Sequence, residues 1–141
     1  MKQPILTLLI MLLPLHALSG SLPELKRVEQ LLWENRVILV WPDEPMDVVH
    51  IMEQSTYDID DRHIVWFIIH DQKVVSNYSG VIANTFVAHT NNKYFKLNKK
   101  VALIGKDGGV KYVGTELILD TLFNQIDSMP MRMNEMKSKG L

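Results

Sequence analysis

Runs of apolar residues broken by polar and proline-containing stretches set out a regular order of elements along the chain. Arg36 to Trp41, RVILVW, is a continuous apolar run stopped by Pro42, the pattern of a strand buried on both faces and central in a sheet. His63 to Ile69 is a second such run, Val101 to Gly105 a third, and Val110 to Val113 an alternating fourth. Helical spacing fills the gaps. Ser21 caps and Pro23 opens a helix whose Leu25, Val28, Leu31 and Leu32 share a face and which ends near Trp33. Val48, Val49 and Met52 follow the loop WPDEPM as a short helix, which the polar TYDIDD ends. Ile82, Ala83, Phe86 and Val87 favour a helix from about Ser79 to Thr90. Thr115 caps a last helix with a stripe of Leu117, Ile118, Leu122, Phe123 and Ile126, ending before Pro130. The tail Lys137 to Leu141 is short and polar and is expected to fray. The order is α-β-α-β-α-β-β-α, an α/β class with about four strands.

Composition adds a compartment. The 141 residues are 47% hydrophobic and 22% charged, enough apolar material for one core, and no repeat or linker divides them. The N-terminus has Lys2, an apolar run from Ile5 to Leu15 interrupted by Thr7 and Pro14, and then the small residues Ala17-Leu18-Ser19-Gly20. This is the layout of a secretory signal cleaved after Ser19, so residues 1–19 are read as a signal peptide and 20–141 as one domain, periplasmic or secreted. Spanning a bilayer takes roughly 20 apolar residues, more than this run supplies, so no membrane anchor is expected after cleavage. The segment removes one of the 15 basic residues and none of the 16 acidic ones, leaving a slightly acidic domain without general attraction for nucleic acid. Disulfides persist in exported proteins, yet this chain has no cysteine. Thiol exchange, thiolate nucleophiles and cysteine metal sites are therefore excluded.

The stretch VALIGKDGGVKYVG, Val101 to Gly114, has the glycines and lysine of a phosphate loop without its spacing or its helix. Val-Lys-Tyr-Val continues as a strand, so Lys106, Asp107, Gly108 and Gly109 form a hairpin turn, with Asp107-Gly108 at positive φ and Lys106 in solvent.

Several blocks together carry a family resemblance. They are Trp33 with Arg36 to Val40, Leu103 to Lys111, Leu122-Phe123 with Ile126-Asp127, and Met129-Pro130-Met131-Arg132 with Glu135-Met136. From Lys100 to Ile126 the chain resembles the C-terminal half of thioredoxin-like proteins. As a whole it resembles the DUDES-type domain of unknown function, whose relatives recur in secreted proteins such as Equarin and the sushi-repeat proteins. The resemblance implies a thioredoxin-like fold, a central mixed sheet flanked by helices, and no established activity. Where a thioredoxin-like enzyme places its reactive cysteine, this chain has Trp41-Pro42-Asp43-Glu44-Pro45-Met46, and the cis-proline position matches Lys100. The resemblance thus implies a fold kept without its thiol chemistry.

Other constellations are weighed beside their bland readings. Met129, Met131, Met133 and Met136 are soft ligands suited to Cu(I), or plugs of a core or contact surface. Arg132 and Glu135 are spaced to pair on a helix surface. His50, His63, His70 and His89 are scattered, and His70-Asp71 is the best acid–base pair among them. Asp58, Asp60 and Asp61 lack the glycine and glutamate of a calcium loop. Trp33, Trp41 and Trp66 are expected in the core, and Asn77-Tyr78-Ser79 fits a glycosylation pattern that matters only in a eukaryotic secretory pathway. The reading is a non-catalytic module that binds an envelope protein and needs no cofactor. Its candidate surface is Trp41, Pro42, Asp43, Glu44 and Met46 with Met129, Met131 and Arg132. The alternatives are copper handling through the methionines or a non-thiol enzyme.

Overall fold

A computed structural model describes residues 20–141; the expected signal segment lies outside the described residues. Five strands form one open mixed sheet: β1 (Arg36–Val40), β2 (Ile64–His70), β3 (Lys73–Ser76), β4 (Val101–Ile104) and β5 (Val110–Gly114), in the order β3-β2-β1-β4-β5. Only β1 and β2 run parallel, with Val37 opposite Val65 and Leu39 opposite Phe67; the other neighbours are antiparallel. The continuous apolar runs are thus the inner strands, as burial on both faces requires.

Five helices complete the described residues: α1 (Pro45–Gln54), α2 (Thr56–Asp61), α3 (Phe86–Tyr94), α4 (Leu119–Asp127) and α5 (Pro130–Ser138). Alternate side chains of β1 feed two cores. Val37, Leu39 and Trp41 pack with Phe67, Phe86, Val87 and Leu25, beneath α3. Ile38 and Val40 pack with Trp66, Met52, Ile59, Leu122 and Ile126, beneath α1, α2 and α4. The result is three layers, helix, sheet and helix.

Several expected elements differ. The fifth strand, β3, is absent from the sequence reading because the two-residue loop joining it to β2, Asp71-Gln72, takes φ of 46° and 64° without a glycine to advertise the turn. The expected first helix shrinks to a single 3-10 turn over Val28–Leu31. Leu25 leaves the helix because its backbone bridges Ile82: Leu25 N donates to the Val81 carbonyl and Ala83 N to the Leu25 carbonyl, both at 2.8 Å. The same bridge occupies Ile82 and Ala83, so the helix expected over Ser79–Thr90 begins only at Phe86. TYDIDD does not end a helix; it is α2, which buries Ile59.

The helix expected at Thr115 starts at Leu119, because Ile118 is still extended and its carbonyl accepts the first helical bond. Pro130 opens a further helix, as suits a first-turn residue whose N–H is not needed. The tail is tied down, with Lys139 Nζ 2.9 Å from an Asp61 carboxylate oxygen and Leu141 N donating to the Met136 carbonyl. Trp41 and Trp66 are buried as expected, whereas Trp33 is 66% exposed, its backbone left-handed at φ 70°.

Candidate functional site

The parallel pair gives the sheet two distinct ends. At the carboxyl end of β1, Trp41 N donates to the Lys100 carbonyl, its indole Nε1 donates to Asn91 Oδ1 at 2.8 Å, and its ring meets Phe95 edge-on. Trp41 is thus an anchor beneath the edge. Above it, Lys100 Nζ reaches Asp43 Oδ1 at 2.6 Å across the mouth of a small pocket that also includes Val40, Pro42, Val48 and Leu117. The hydrogen bond and charge of Lys100 hold the Asp43 carboxyl below its ordinary range. Glu44 is the residue just before α1, Pro45 opens the helix, and Met46 stands 71% exposed. His70 Nδ1 lies 3.0 Å from the Pro42 carbonyl and Nε2 3.1 Å from Asp71, which pins the β2–β3 turn to the loop. A carboxylate, an ammonium and an imidazole therefore share this edge, and the exposed apolar side chains Met46, Phe95 and Leu97 lie in the segments that border it.

The amino end of β1 carries a buried ion network. Arg36, Arg132 and Lys106 are 1%, 2% and 8% exposed. Glu135 accepts from both ends of the Arg36 guanidinium, at 3.1 and 3.3 Å, and from Lys106 Nζ at 2.7 Å. Burial pushes the Glu135 carboxyl up, and the bonds from Lys106 and Arg36 outweigh it, leaving its pKa lowered. Lys106 also donates to His63 Nδ1 at 2.8 Å, and burial together with the Lys106 charge keeps that imidazole below its ordinary pKa.

Beside them, Arg132 bridges Asp61 and Asp127, and Arg62 makes a two-pronged bond to Asp127 at 3.1 and 2.8 Å while its guanidinium lies over the Phe123 ring. Hydrogen bonds from Lys139 and Arg132 pull Asp61 down to about 2. Charge-assisted, forked bonds of this kind lock α2, α4 and α5 to the head of β1.

These positions redraw the sequence reading. Trp41, Pro42, Asp43, Glu44 and Met46 lie at the carboxyl end, whereas Met129, Met131 and Arg132 lie at the amino end with Arg36. The strand between spans five residues, about 13 Å at 3.3 Å per residue, so the two groups do not form one surface. Arg132 and Glu135 do approach on one helical turn, at 3.9 Å, but Arg132 is buried and Glu135 half-buried rather than on the surface, and each makes its main bonds to other elements. Lys106 is not solvated, because Glu135 draws it under the turn. The turn itself is as expected at Gly108, φ 84°, while Asp107 stays outside the left-handed region and accepts from Gly109 N and Lys111 Nζ. An added Cβ at Gly105 would lie 2.6 Å from Lys111 Cε, so the flexible lysine stem would have to swing aside there.

Met129 packs on the core, Met131 and Met133 are partly exposed, and Met131 lies two residues from each of Met129 and Met133, so the four thioethers do not share one helix face. Among the described residues no three of the His, Asp and Glu side chains converge on a common point suited to a metal ion, and no helix is long and apolar enough to cross a membrane. Sequence reasoning missed Arg36, Arg62 and Asp127. The available signal was an arginine heading a strand that is otherwise wholly apolar.

No curated protein and no solved structure matches the chain. A family profile does match, over residues 27–135, a span that takes in Asp43 and Lys100 at one end of the sheet and Arg36, Lys106, Arg132 and Glu135 at the other. The chain belongs to the DUF4174 family, a domain of unknown function.

Proposed function

We propose that the chain is an exported, cysteine-free member of the thioredoxin-like fold that works as a non-catalytic binding module, meeting an envelope protein at the carboxyl end of its sheet. The fold reading is supported by the order β2-β1-β4-β5, with the first pair parallel and the last two strands antiparallel. On the same resemblance, β3 is an addition at one edge. The observation that carries the binding reading is the Asp43–Lys100 pair. It stands where a thiol enzyme of this fold would have its nucleophile and substrate-binding proline, and it offers two exposed charges in place of a reactive atom. Around it Met46 and Phe95 are exposed, the methionine and aromatic types that interfaces favour, with Leu97 beside them.

The test uses the full chain expressed in a bacterium. Its mature N-terminus is expected to be Gly20, and retention of residues 1–19 would defeat the export reading. A photocrosslinker at Met46 is expected to yield a discrete protein adduct in the envelope that the same group at Met133, on α5, does not yield. Adducts of equal yield at both positions, or none at Met46, would remove the carboxyl end as the contact surface.

A further inference from the structure

A second site lies at the opposite end of the sheet. Between the head of β1, the β4–β5 turn and the α4–α5 corner there is a pocket of about 320 Å³, lined by Arg36 and by Lys106, Asp107 and Lys111 of the turn and its strand, and by Met129, Pro130 and Met131 of the corner. That volume falls at the lower end of the ~300–1,000 Å³ typical of small-molecule sites.

The charges beside it do not balance. Arg36 and Lys106, both buried, share the single carboxylate of Glu135, while Lys111 is matched one-to-one by Asp107. Of the remaining neighbours, His63 accepts from Lys106 and so adds no negative charge, and Arg132, 3.9 Å from Glu135, balances with Arg62 and Lys139 against Asp58, Asp61 and Asp127. One positive charge is left over beside the pocket. Arg36 also has an unused donor: its two terminal nitrogens are taken by Glu135 and the Arg62 carbonyl, but its buried Nε has no acceptor among the described residues. A buried cation without its own anion is unfavourable, and an anion seated in the pocket relieves it. The α4–α5 corner contributes Met129, Pro130 and Met131 beside Gln125, an apolar stretch that suits a hydrocarbon tail more than a bare inorganic ion.

We propose that this pocket binds a small organic monoanion, a carboxylate carrying a short apolar tail, with the carboxylate against the Arg36 and Lys106 head groups and the tail on Met129, Pro130 and Met131. The charge left over selects for one negative charge, and the apolar stretch selects for the tail. This site is independent of the contact surface at the other end of the sheet.

Amide NMR titration of the full chain with hexanoate, 1-hexanol and inorganic phosphate tests it. Hexanoate is expected to shift Gly105, Lys106 and Met131, and 1-hexanol, which lacks the charge, to bind at least about tenfold more weakly. Arg36→Lys disturbs the fold-holding network as well, so the deciding variants are Lys111→Gln and Met131→Glu, at partly exposed positions. Each is expected to weaken hexanoate by about tenfold with the rest of the spectrum unchanged, the first by removing a cation and the second by adding an anion at the rim. Equal affinity for hexanoate and 1-hexanol, preference for phosphate over hexanoate, full hexanoate binding by both variants, or no response to any probe would each overturn the proposal.

Discussion

Both ends of β1 carry a lysine or arginine paired with a carboxylate, and the two pairs live in different solvents. Asp43 and Lys100 have side chains 84% and 40% exposed; Glu135 and Arg36 are 17% and 1% exposed. In water an ion pair gains little over two hydrated ions, so Asp43 and Lys100 are free to trade each other for a partner. Inside the fold the desolvation has already been met by mutual contact, and removing either member strands the other. The same chemistry is therefore a contact surface at one end and a structural clamp at the other. The pocket beside Arg36 is at the boundary between these regimes, where a clamp is one anion short.

Glu135→Ala should break this comparison most severely if it is wrong. The substitution leaves Arg36 and Lys106 buried with no carboxylate between them and is expected to cost about 3–5 kcal/mol, read as a fall in the urea midpoint. A loss no larger than that of an ordinary surface substitution would mean that the amino end is hydrated and no different from the carboxyl end.

A smaller effect follows from pH. The folded pKa of His63 lies below the ordinary 6.5, so the unfolded chain takes up its proton first as pH falls. Stability is then expected to decline from near 6.5 down to the folded pKa and to level off below it. Asp61 acts lower: its folded value of about 2 against an ordinary 3.8 gives a contribution that is full above 3.8 and lost as pH falls through 2. Urea midpoints taken in steps of pH should show two separate declines, and His63→Asn should flatten only the upper one. A midpoint that is level from neutral pH down to the carboxylate range in the unaltered chain would show that His63 is not held neutral by the fold.

How much of this was legible in the sequence depends on the range over which each residue finds its partners. RVILV, IVWFIIH and VALI announce themselves because a strand covered on both faces must be apolar at every position. Gly108 announces the turn because its φ of 84° is one that L side chains rarely adopt. Leu25, Val28 and Leu31 mislead because a spacing of three fits a helix, and only the Leu25–Ile82 bridge, formed with a distant segment, decides otherwise. Arg36 is the extreme case. Read locally it is a polar strand end; it is buried because Glu135, 99 residues later, folds back to meet it. The carboxyl-end residues Trp41 to Met46 stand out as a candidate because they are contiguous, and the amino-end network does not because its members come from α2, α4, α5 and two strand ends.

The smallest expected effect is the most discriminating. Lys100→Ala removes a half-exposed ammonium from a carboxylate that is itself almost fully in water, so the urea midpoint should stay within error of the unaltered chain. Salt should be equally without effect on that midpoint difference, since there is none to screen. If the carboxyl end is a contact surface, however, the same substitution should lower the yield of the Met46 adduct, because a neutral ion pair at that edge has become a lone carboxylate. Loss of adduct with an unchanged midpoint would separate contact from folding at a single residue. A midpoint shift comparable to that of Glu135→Ala would instead make Lys100 part of the clamp, and the distinction between the two ends would fall.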